Sequence, residues 1–352
     1  MSTCLRTALT AKSACPAACI FIATALIISS CSAGHKSGGL YGADTHLFKI
    51  TLNKKFGFIN QSGHIVIKPT YDVAGDFRED RAPVKTGGKW GYIDETGALV
   101  IQLNYAGATP FSEGLAAVRT VGDDKIGFIN RDGDIVIKPQ YRMAWDFHDG
   151  IAPVSIGEKW GYIDNKGNTV VKPEYDKAWM CSDGMARIEK GKKYGYISKE
   201  GKVLIAIEYD NAHDIHEGLA AVEVDGKYGF IDNSGNYVIK PQYAMADDFS
   251  EGLAPVKIGD KYGYVNEHNE IVISPQFDLA DPFSEGMAVI MFGSYEPGKT
   301  QKHGYINKSG DVVIDVKYSY AGDFQNGLAY VMESGRYGYI NAKGDYVWRQ
   351  DE

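Results

Sequence analysis

The hexapeptide Lys159-Trp160-Gly161-Tyr162-Ile163-Asp164 decides the fold, because the chain contains nine copies of the same phrase. Each copy has a large, usually aromatic residue, then Gly, an aromatic residue, an aliphatic residue and a polar residue. The intervals between successive glycines are 34, 36, 34, 34, 34, 34, 41 and 34 residues. Intervals of this length are typical of an array of small repeated units. The glycines are Gly57, Gly91, Gly127, Gly161, Gly195, Gly229, Gly263, Gly304 and Gly338.

Each copy predicts three short strands, as the one containing Gly263 illustrates. Residues 253–257 and 261–266 predict the first two strands, and Ile271 begins a third that Pro275 ends or marks as an edge. The helical spacing of apolar residues at i, i+3, i+4 and i+7 is missing from the sequence. We therefore predict an all-β protein.

Composition agrees with short strands joined by turns and excludes two classes of protein. The 352 residues include 41 Gly and 23 Tyr, a density of Gly that excludes a helical bundle. Lys and Arg number 37 against 45 Asp and Glu, which gives a formal net charge of −8. A protein that binds the nucleic-acid backbone needs a basic stripe, so nucleic acid is not an expected partner.

The number of strands constrains the overall shape. Three strands in each of nine copies give about 27 strands, whereas open sheets rarely exceed about 10 without curling or splitting. A β-propeller typically has four to eight blades of four strands, and the chain starts with a first-strand segment and ends after a third strand. We therefore predict an open, superhelical β-solenoid of three-stranded antiparallel meanders, with a propeller as the alternative.

The phrase itself predicts packing between strands. Trp160 and Tyr162 share one face of their strand, and Gly161 between them leaves backbone on which an aromatic ring of a neighbouring strand can lie. The alternative is an exposed aromatic row that stacks on sugars. The signature residues to which we assign a structural role are Trp90, Gly91, Trp160, Gly161, Gly195, Gly229, Gly263, Gly304 and Gly338.

Two further phrases recur, Lys-Pro-Gln-Tyr as in residues 138–141 and Asp-x-Phe-Ser-Glu-Gly as in residues 247–252. Together with the first phrase, they resemble the bacterial WG-repeat (tryptophan–glycine) family over about residues 46–352. The sequence departs from the family pattern locally, since Trp precedes Gly only at Trp90 and Trp160. Because the family shares no single established activity, the resemblance informs the fold more than the function.

The amino terminus predicts export. Residues 1–30 contain no Asp or Glu, and the apolar run of residues 17–28 is shorter than the ~20 residues of a membrane span. Small residues before Cys31 resemble the lipobox of bacterial lipoproteins, which implies a signal peptide over residues 1–30 and lipid on Cys31. Residues 31–45 are then a flexible tether and residues 46–352 the repeat domain. The alternative is an ordinary signal peptide in which Cys31 is incidental.

In a repetitive chain, residues that depart from the repeat pattern in one copy are the candidates for a catalytic or metal-binding role. Residues 213–217 (His-Asp-Ile-His-Glu) form the best metal motif, but they occupy the slot of an ordinary connector. Residues 130–134 look slightly like a calcium loop yet coincide with a repeat turn, and Cys181 stands where other copies have Ser. Neither a nucleophile elbow, a phosphate loop nor a zinc signature occurs. We therefore predict no catalytic residue, no metal and no cofactor.

One hairpin breaks the pattern. The segment from Met287 to Gly304 is seven residues longer than its counterpart from Leu253 to Gly263. Repeat arrays often place insertions on a binding face, so residues 292–303 are a candidate site for a ligand or partner. A neutral surface insertion is the alternative. The candidate binding residues are Phe292, Tyr295 and Lys299.

These observations favour a non-enzymatic cell-envelope lipoprotein that offers a β-repeat surface to another envelope protein. The membrane is then a partner through lipidated Cys31, and Ser32 resembles the outer-membrane sorting pattern of Gram-negative bacteria, on either the periplasmic or the surface face. The first alternative is a lipoprotein that binds glycan or peptidoglycan through rows of Tyr and Trp. The second is an envelope enzyme.

Overall fold

A computed structural model describes residues 46–294 and 300–350, and every regular element in these ranges is a β-strand. Among these residues, the structure has no helix that is long and apolar enough to cross a membrane. The expected signal peptide, the lipidated Cys31 and the tether lie outside the described residues, as do Tyr295 and Lys299.

The strands pair in sequence order as antiparallel meanders. A three-stranded sheet comes first and a seven-stranded sheet follows, because β7 runs without a break from one copy into the next. Their strands are β1 Phe48–Leu52, β2 Lys55–Ile59, β3 Ile65–Tyr71, β4 Val73–Ala74, β5 Ala82–Thr86, β6 Lys89–Ile93, β7 Leu99–Ala108, β8 Leu115–Thr120, β9 Ile126–Asn130 and β10 Ile135–Tyr141.

Six four-stranded sheets complete the described fold. The first three consist of β11 Met143–Ala144, β12 Ile151–Ile156, β13 Lys159–Asp164 and β14 Thr169–Tyr175; β15 Lys177–Ser182, β16 Met185–Lys190, β17 Lys193–Ser198 and β18 Val203–Tyr209; β19 Asn211–Ala212, β20 Leu219–Val224, β21 Lys227–Asp232 and β22 Tyr237–Tyr243. The last three consist of β23 Met245–Ala246, β24 Ala254–Ile258, β25 Lys261–Val265 and β26 Ile271–Phe277; β27 Leu279–Ala280, β28 Met287–Gly293, β29 Gln301–Asn307 and β30 Val312–Tyr318; β31 Tyr320–Gln325, β32 Leu328–Glu333, β33 Arg336–Asn341 and β34 Tyr346–Arg349.

The all-β prediction is confirmed, but the prediction of three strands per copy is wrong. A fourth strand, usually only two residues long, precedes the three long ones in most sheets. In β11, for example, Met143 pairs with Ser155 and Ala144 with Val154. Two residues are too few to show an alternating pattern, so the sequence did not reveal this strand.

The glycine of the repeated phrase lies under a bulge of the third long strand. Trp160 pairs with Tyr175 and Tyr162 pairs with Val171, so the segment between Val171 and Tyr175 arches over Gly161. A Cβ atom on Gly161 would lie 2.3 Å from the carbonyl oxygen of Val171. Backbone, rather than the expected aromatic ring, therefore covers this glycine.

Adjacent sheets pack through aromatic rings and a repeated hydrogen bond. Phe230 packs edge-on against Phe249 of the next copy with ring centroids 4.7 Å apart. The buried Tyr264 donates its hydroxyl proton to the carbonyl oxygen of Asp281, one copy further on, at 2.8 Å. The second aromatic position of the phrase is thus a core position. It is at most 1% exposed at Phe58, Tyr92, Phe128, Tyr162, Tyr196, Phe230, Tyr264 and Tyr305.

The first and last sheets also contact each other, although here the last sheet meets the first long strand, β1, and not a linker. The Tyr339 hydroxyl donates to the carbonyl oxygen of Lys49 at 2.8 Å. The Tyr339 and Phe48 rings lie edge-on, 5.4 Å between centroids, and Phe48 also belongs to a core cluster with Leu328. The ends of the array therefore touch, which an open solenoid does not predict.

The hairpins between the first and second long strands have tips that stand clear of the neighbouring sheets. A Cβ atom placed on the tip glycine Gly157 would meet no described atom within 4 Å. The same holds for Gly87, Gly122, Gly191, Gly226 and Gly259. In the longer hairpin, Phe292 pairs with Lys302 and Gly293 with Gln301, so the extra residues extend the two strands before the undescribed segment begins.

Candidate functional site

The segments that precede the first long strand of successive copies, which we call the linkers, bring side chains of neighbouring copies together. Most are loops after a short strand and two lie largely inside β15 and β31, but all occupy the same position in the repeat, so residues about one repeat apart become neighbours. The linkers are residues 75–80, 109–114, 145–150, 179–184, 213–218, 247–252, 281–286 and 322–327.

A ladder of carboxylates joins successive linkers. Glu217 accepts hydrogen bonds from the backbone N–H groups of Glu251 at 2.7 Å and Gly252 at 2.9 Å. Glu251 does the same for Gly286 at 3.0 Å. Glu251 has φ of 56° and Gly252 has φ of 84°, so both turn residues are left-handed and point their N–H groups to the preceding linker.

The linkers at residues 213–218 and 247–252 form a cluster of histidine and carboxylate side chains. His213 Nδ1 lies 2.9 Å from Asp248 Oδ1 and 3.5 Å from Asp247 Oδ1. His216 Nε2 lies 3.6 Å from Asp248 Oδ2. Burial by itself lowers the pKa of His213, but the Asp248 and Asp247 carboxylates outweigh it and raise the pKa to about 10. The cluster therefore attracts positive charge.

A cation of the protein itself flanks this cluster. Arg187 Nε lies 3.0 Å from Asp214 Oδ1, and the guanidinium carbon is 4.2 Å from the centroid of the Trp179 ring. The Arg187 side chain is 12% exposed and the Asp214 side chain 35% exposed, so water reaches the carboxylate side of the pair. Arg187 also acts on Asp248: burial raises the pKa of this carboxyl, but the two histidines and Arg187 together hold it below its ordinary value.

Three carboxyl groups from successive linkers influence one another further along the array. Burial, together with the Asp323 and Asp247 carboxylates, raises the pKa of Asp281 to about 8. Burial and Asp247 raise the pKa of Asp323 to about 6. These aspartates sit among like charges, which favours the protonated form.

Asp281→Asn is expected to stabilise the protein at alkaline pH. Below the carboxyl pKa of an unfolded chain, near 3.9, Asp281 is protonated in both states and the substitution has little effect. Above that pH the unfolded chain ionises first, so the stability of the parent protein falls until pH passes the folded pKa of about 8. At pH 8.5 the variant should exceed the parent by about 1–2 kcal/mol in unfolding free energy, less than the full shift because water reaches part of the group.

Urea unfolding at pH 4 to pH 8.5 measures this difference. Asp124→Asn is the control, since Asp124 is exposed in a hairpin away from the linkers. A stability difference between Asp281→Asn and the parent that does not grow with pH would contradict the prediction.

The remaining candidates have structural environments. In residues 130–134, Asn130 Oδ1 accepts the N–H groups of Asp132 and Asp134, an arrangement that Asp164 repeats with Lys166 and Asn168. This Asx turn explains why the segment resembled a calcium loop.

Cys181 and Phe292 differ in accessibility. Cys181 is 3% exposed, and burial, with a contribution from Asp149, raises the pKa of its thiol to about 12. A thiol of this kind is not a reactive nucleophile. Phe292 is 39% exposed and its ring lies 5.8 Å from the ring of Phe277.

The sequence analysis found His213 and His216 but missed Asp247 and Asp248. The feature of the sequence that could have revealed these two aspartates is the repeat interval, because residues 34 or 35 positions apart lie in adjacent linkers. His213 and Asp248 are separated by 35 residues, as are Glu217 and Gly252.

Comparison with known families identifies the repeats. A family model described as a WG-containing repeat matches eight segments, residues 56–90, 90–122, 126–160, 160–194, 194–228, 228–262, 262–295 and 304–337. No curated protein matches the chain.

Several solved structures are similar to this chain at low sequence identity. Hsv2 from Kluyveromyces lactis is 8% identical with a TM-score of 0.38, covering 65% of this chain and 96% of its own. Dihydro-heme d1 dehydrogenase NirN is 11% identical with a TM-score of 0.47, covering 86% and 76%. An inactive virginiamycin B lyase from Staphylococcus aureus, solved with quinupristin, is 14% identical with a TM-score of 0.35, covering 75% and 96%.

Proposed function

We propose that this chain, which belongs to the WG-containing repeat family, is a non-enzymatic cell-envelope lipoprotein that binds another envelope protein through its repeated β-surface. The observation that carries the proposal is a set of exposed apolar pairs that recurs at the same position of seven copies. The export leader and the small residues before Cys31 support attachment to the membrane through a lipid.

The exposed pairs lie at the start of the third long strand in each of seven copies. Ile135 and Val136 of β10, for example, are 50% and 44% exposed, whereas the next residue, Ile137, is 3% exposed. Single exposed aliphatic residues are common on soluble proteins, but a pair that recurs at the same position of seven copies favours a repeated apolar surface for a partner. We call the following residues the outer pairs: Ile65 and Val66, Leu99 and Val100, Ile135 and Val136, Val203 and Leu204, Tyr237 and Val238, Ile271 and Val272, Val312 and Val313.

The outer pairs favour contact with side chains of a partner over added β-pairing. Six of the seven pairs lie on an edge strand, the exception being Leu99 and Val100 of β7, and the bulge next to them contains Pro in four of the seven copies. Proline and a bulge discourage a further strand from joining an edge. A protein partner of matching apolar surface is therefore the occupant that we propose.

Contact between the first and last sheets supports closure of the array into a ring of blades, which would be a rigid platform for such a partner. Tyr339 donates its hydroxyl proton to the carbonyl oxygen of Lys49 and packs edge-on against Phe48, both in β1. Tyr264, by contrast, makes its hydrogen bond and ring contact with the linker residues Asp281 and Phe283. We therefore propose the propeller alternative, closed by packing between the first and last sheets rather than by a shared strand. No edge sheet then needs a capping element.

Glycan binding receives less support, because it depended on exposed rows of aromatic residues. The second ring of the phrase is buried, and Trp160 and Tyr228 in the first position are 9% and 4% exposed. The extended hairpin, with half-exposed Phe292, remains a second surface at which a partner could be tested.

Adding positive charge to the outer pairs is expected to abolish partner binding. The variant combines Val66→Lys, Val136→Lys, Val238→Lys and Val272→Lys, which places an ammonium group within the apolar surface of four sheets. We expect proteins captured from solubilised envelopes by the parent to be lost, with affinity for the main partner at least about tenfold weaker because burying an unpaired charge is costly.

The matched control adds the same four charges to exposed polar positions of the same strands, Thr70→Lys, Gln140→Lys, Gln242→Lys and Gln276→Lys. It should retain the partner. Equal capture by both variants, or no protein partner together with co-sedimentation on purified cell wall, would overturn the proposal in favour of another surface or of glycan binding.

A further inference from the structure

His213, Asp247 and Asp248 have the geometry of a metal site, and His216 lies beside them. One ligand atom from each of His213, Asp247 and Asp248 can be chosen so that all three lie within 4.8 Å of one another. The separations of 2.9, 3.5 and 3.6 Å between imidazole nitrogens and carboxylate oxygens compare with about 3.4 Å between tetrahedral ligands that are each ~2.1 Å from zinc. Small side-chain movements therefore bring the donors of His213, Asp247 and Asp248 around one ion, whereas His216 must move further to join them.

His216 differs from the residue at the same position in the two neighbouring copies, although His148 occupies that position two copies earlier. The position of His216 is Ser in neighbouring copies, where Ser182 donates to the carbonyl oxygen of Ile215 at 2.9 Å and Ser250 to that of Phe283 at 2.6 Å. The ladder and the core packing thus work without histidine at this position. His216 instead directs Nε2 towards Asp248.

The surroundings hold the first histidine in place. The Tyr228 ring lies edge-on to the His213 ring with centroids 6.1 Å apart, and the Tyr228 hydroxyl accepts a hydrogen bond from Asn211 Nδ2 at 2.9 Å. The side chains of His213 and Asp248 are 15% and 21% exposed, whereas Asp247 is 45% exposed. A partly buried site with one accessible ligand allows an ion to enter and retains it afterwards.

The chemistry of the donors selects the class of ion. Two imidazoles and two carboxylates carry a net charge of −2 when the histidines are neutral, which a divalent cation balances. Imidazole nitrogen favours zinc and similar transition metals over magnesium and calcium, which prefer oxygen ligands alone.

We propose that His213, His216, Asp247 and Asp248 bind one divalent transition-metal ion of the zinc type, which clamps two successive linkers together. The ligands come from the linkers at residues 213–218 and 247–252, so the ion joins two neighbouring copies of the repeat. This metal site does not depend on the proposed protein partner.

Zinc binding to the purified protein tests the site directly. After removal of metal with a chelator and dialysis against excess Zn²⁺, the parent should retain one tightly held equivalent per chain. His213→Gln should lose that equivalent, and His216→Ser should bind at least about tenfold more weakly. His216→Ser places the residue of neighbouring copies at this position, so it should fold normally.

His64→Gln and His268→Gln are the matched controls, since both histidines are exposed and lie outside the linkers. They should retain the equivalent. Thermal unfolding provides the second measurement, because an ion that binds only the folded state raises the melting temperature. Zn²⁺ should raise it for the parent and not for Asp248→Asn. A parent that retains no zinc, or His213→Gln retaining as much as the parent, would overturn the proposal.

Discussion

Gly161→Ala is expected to lower the free energy of unfolding by about 3 kcal/mol, although it adds a single methyl group. The Cβ atom would lie 2.3 Å from the carbonyl oxygen of Val171 and 2.8 Å from the backbone nitrogen of Pro173. Both atoms belong to the bulged backbone of β14, which cannot rotate away as a flexible side chain can. The bulge must lift, and the pairing of β13 with β14 weakens with it. Urea unfolding measures the loss.

Gly157→Ala is the matched control on the same hairpin. Gly157 has φ of 63°, but a Cβ atom there would meet no described atom within 4 Å. This substitution carries only the conformational cost of a left-handed residue, about 1 kcal/mol. Similar losses for the two variants would show that Gly161 is required for its backbone conformation and not for the close approach.

Phe48→Ala is expected to cost about 3 kcal/mol, as much as truncation of a ring in the middle of the array. Phe48 is 9% exposed because Tyr339, Leu328 and other residues of the last sheet pack against it. Phe249→Ala is the internal reference, since the buried Phe249 ring also packs edge-on against an aromatic ring of a neighbouring copy, that of Phe230. If the first and last sheets were apart in solution, Phe48 would be largely exposed and its removal would cost less than about 1 kcal/mol.

The hydrogen bond at the same junction gives a second comparison. Tyr339→Phe and Tyr264→Phe each remove one hydroxyl that donates to a carbonyl oxygen at 2.8 Å. In a closed ring both should lower the unfolding free energy by about 1 kcal/mol. An effect of Tyr264→Phe without an effect of Tyr339→Phe would place the array in the open form.

The all-β class could be predicted from the sequence, because every copy contains long strands with alternating side chains and glycines at the turns between them. Prediction from the sequence failed at β11 and its equivalents, where a strand of two residues has no periodicity to detect. The sequence also led to the wrong prediction that an aromatic ring covers Gly161. The bulge between Val171 and Tyr175 is a register shift, which the alternation of side chains alone does not reveal.

The candidate site shows a different limit. His213 and His216 stood out by residue type, but their carboxylate neighbours became visible only when adjacent linkers were placed side by side. Contact between the two ends, at Phe48 and Tyr339, depends on the accumulated rotation of the whole array. No local stretch of sequence determines this accumulated rotation. The repeat spacing of 34 residues, by contrast, does predict that His213 contacts the next linker.

The freely projecting hairpin tips explain where this chain has changed length. The two intervals that depart from 34 residues are 36 and 41, and both gain their residues at such a tip, after Val121 and after Phe292. Growth there leaves the stacking of neighbouring copies intact, because the tip glycines touch no adjacent sheet. Growth in a linker would instead move a glutamate out of reach of the next turn. The architecture thus separates positions that evolution can lengthen from positions whose length it must conserve.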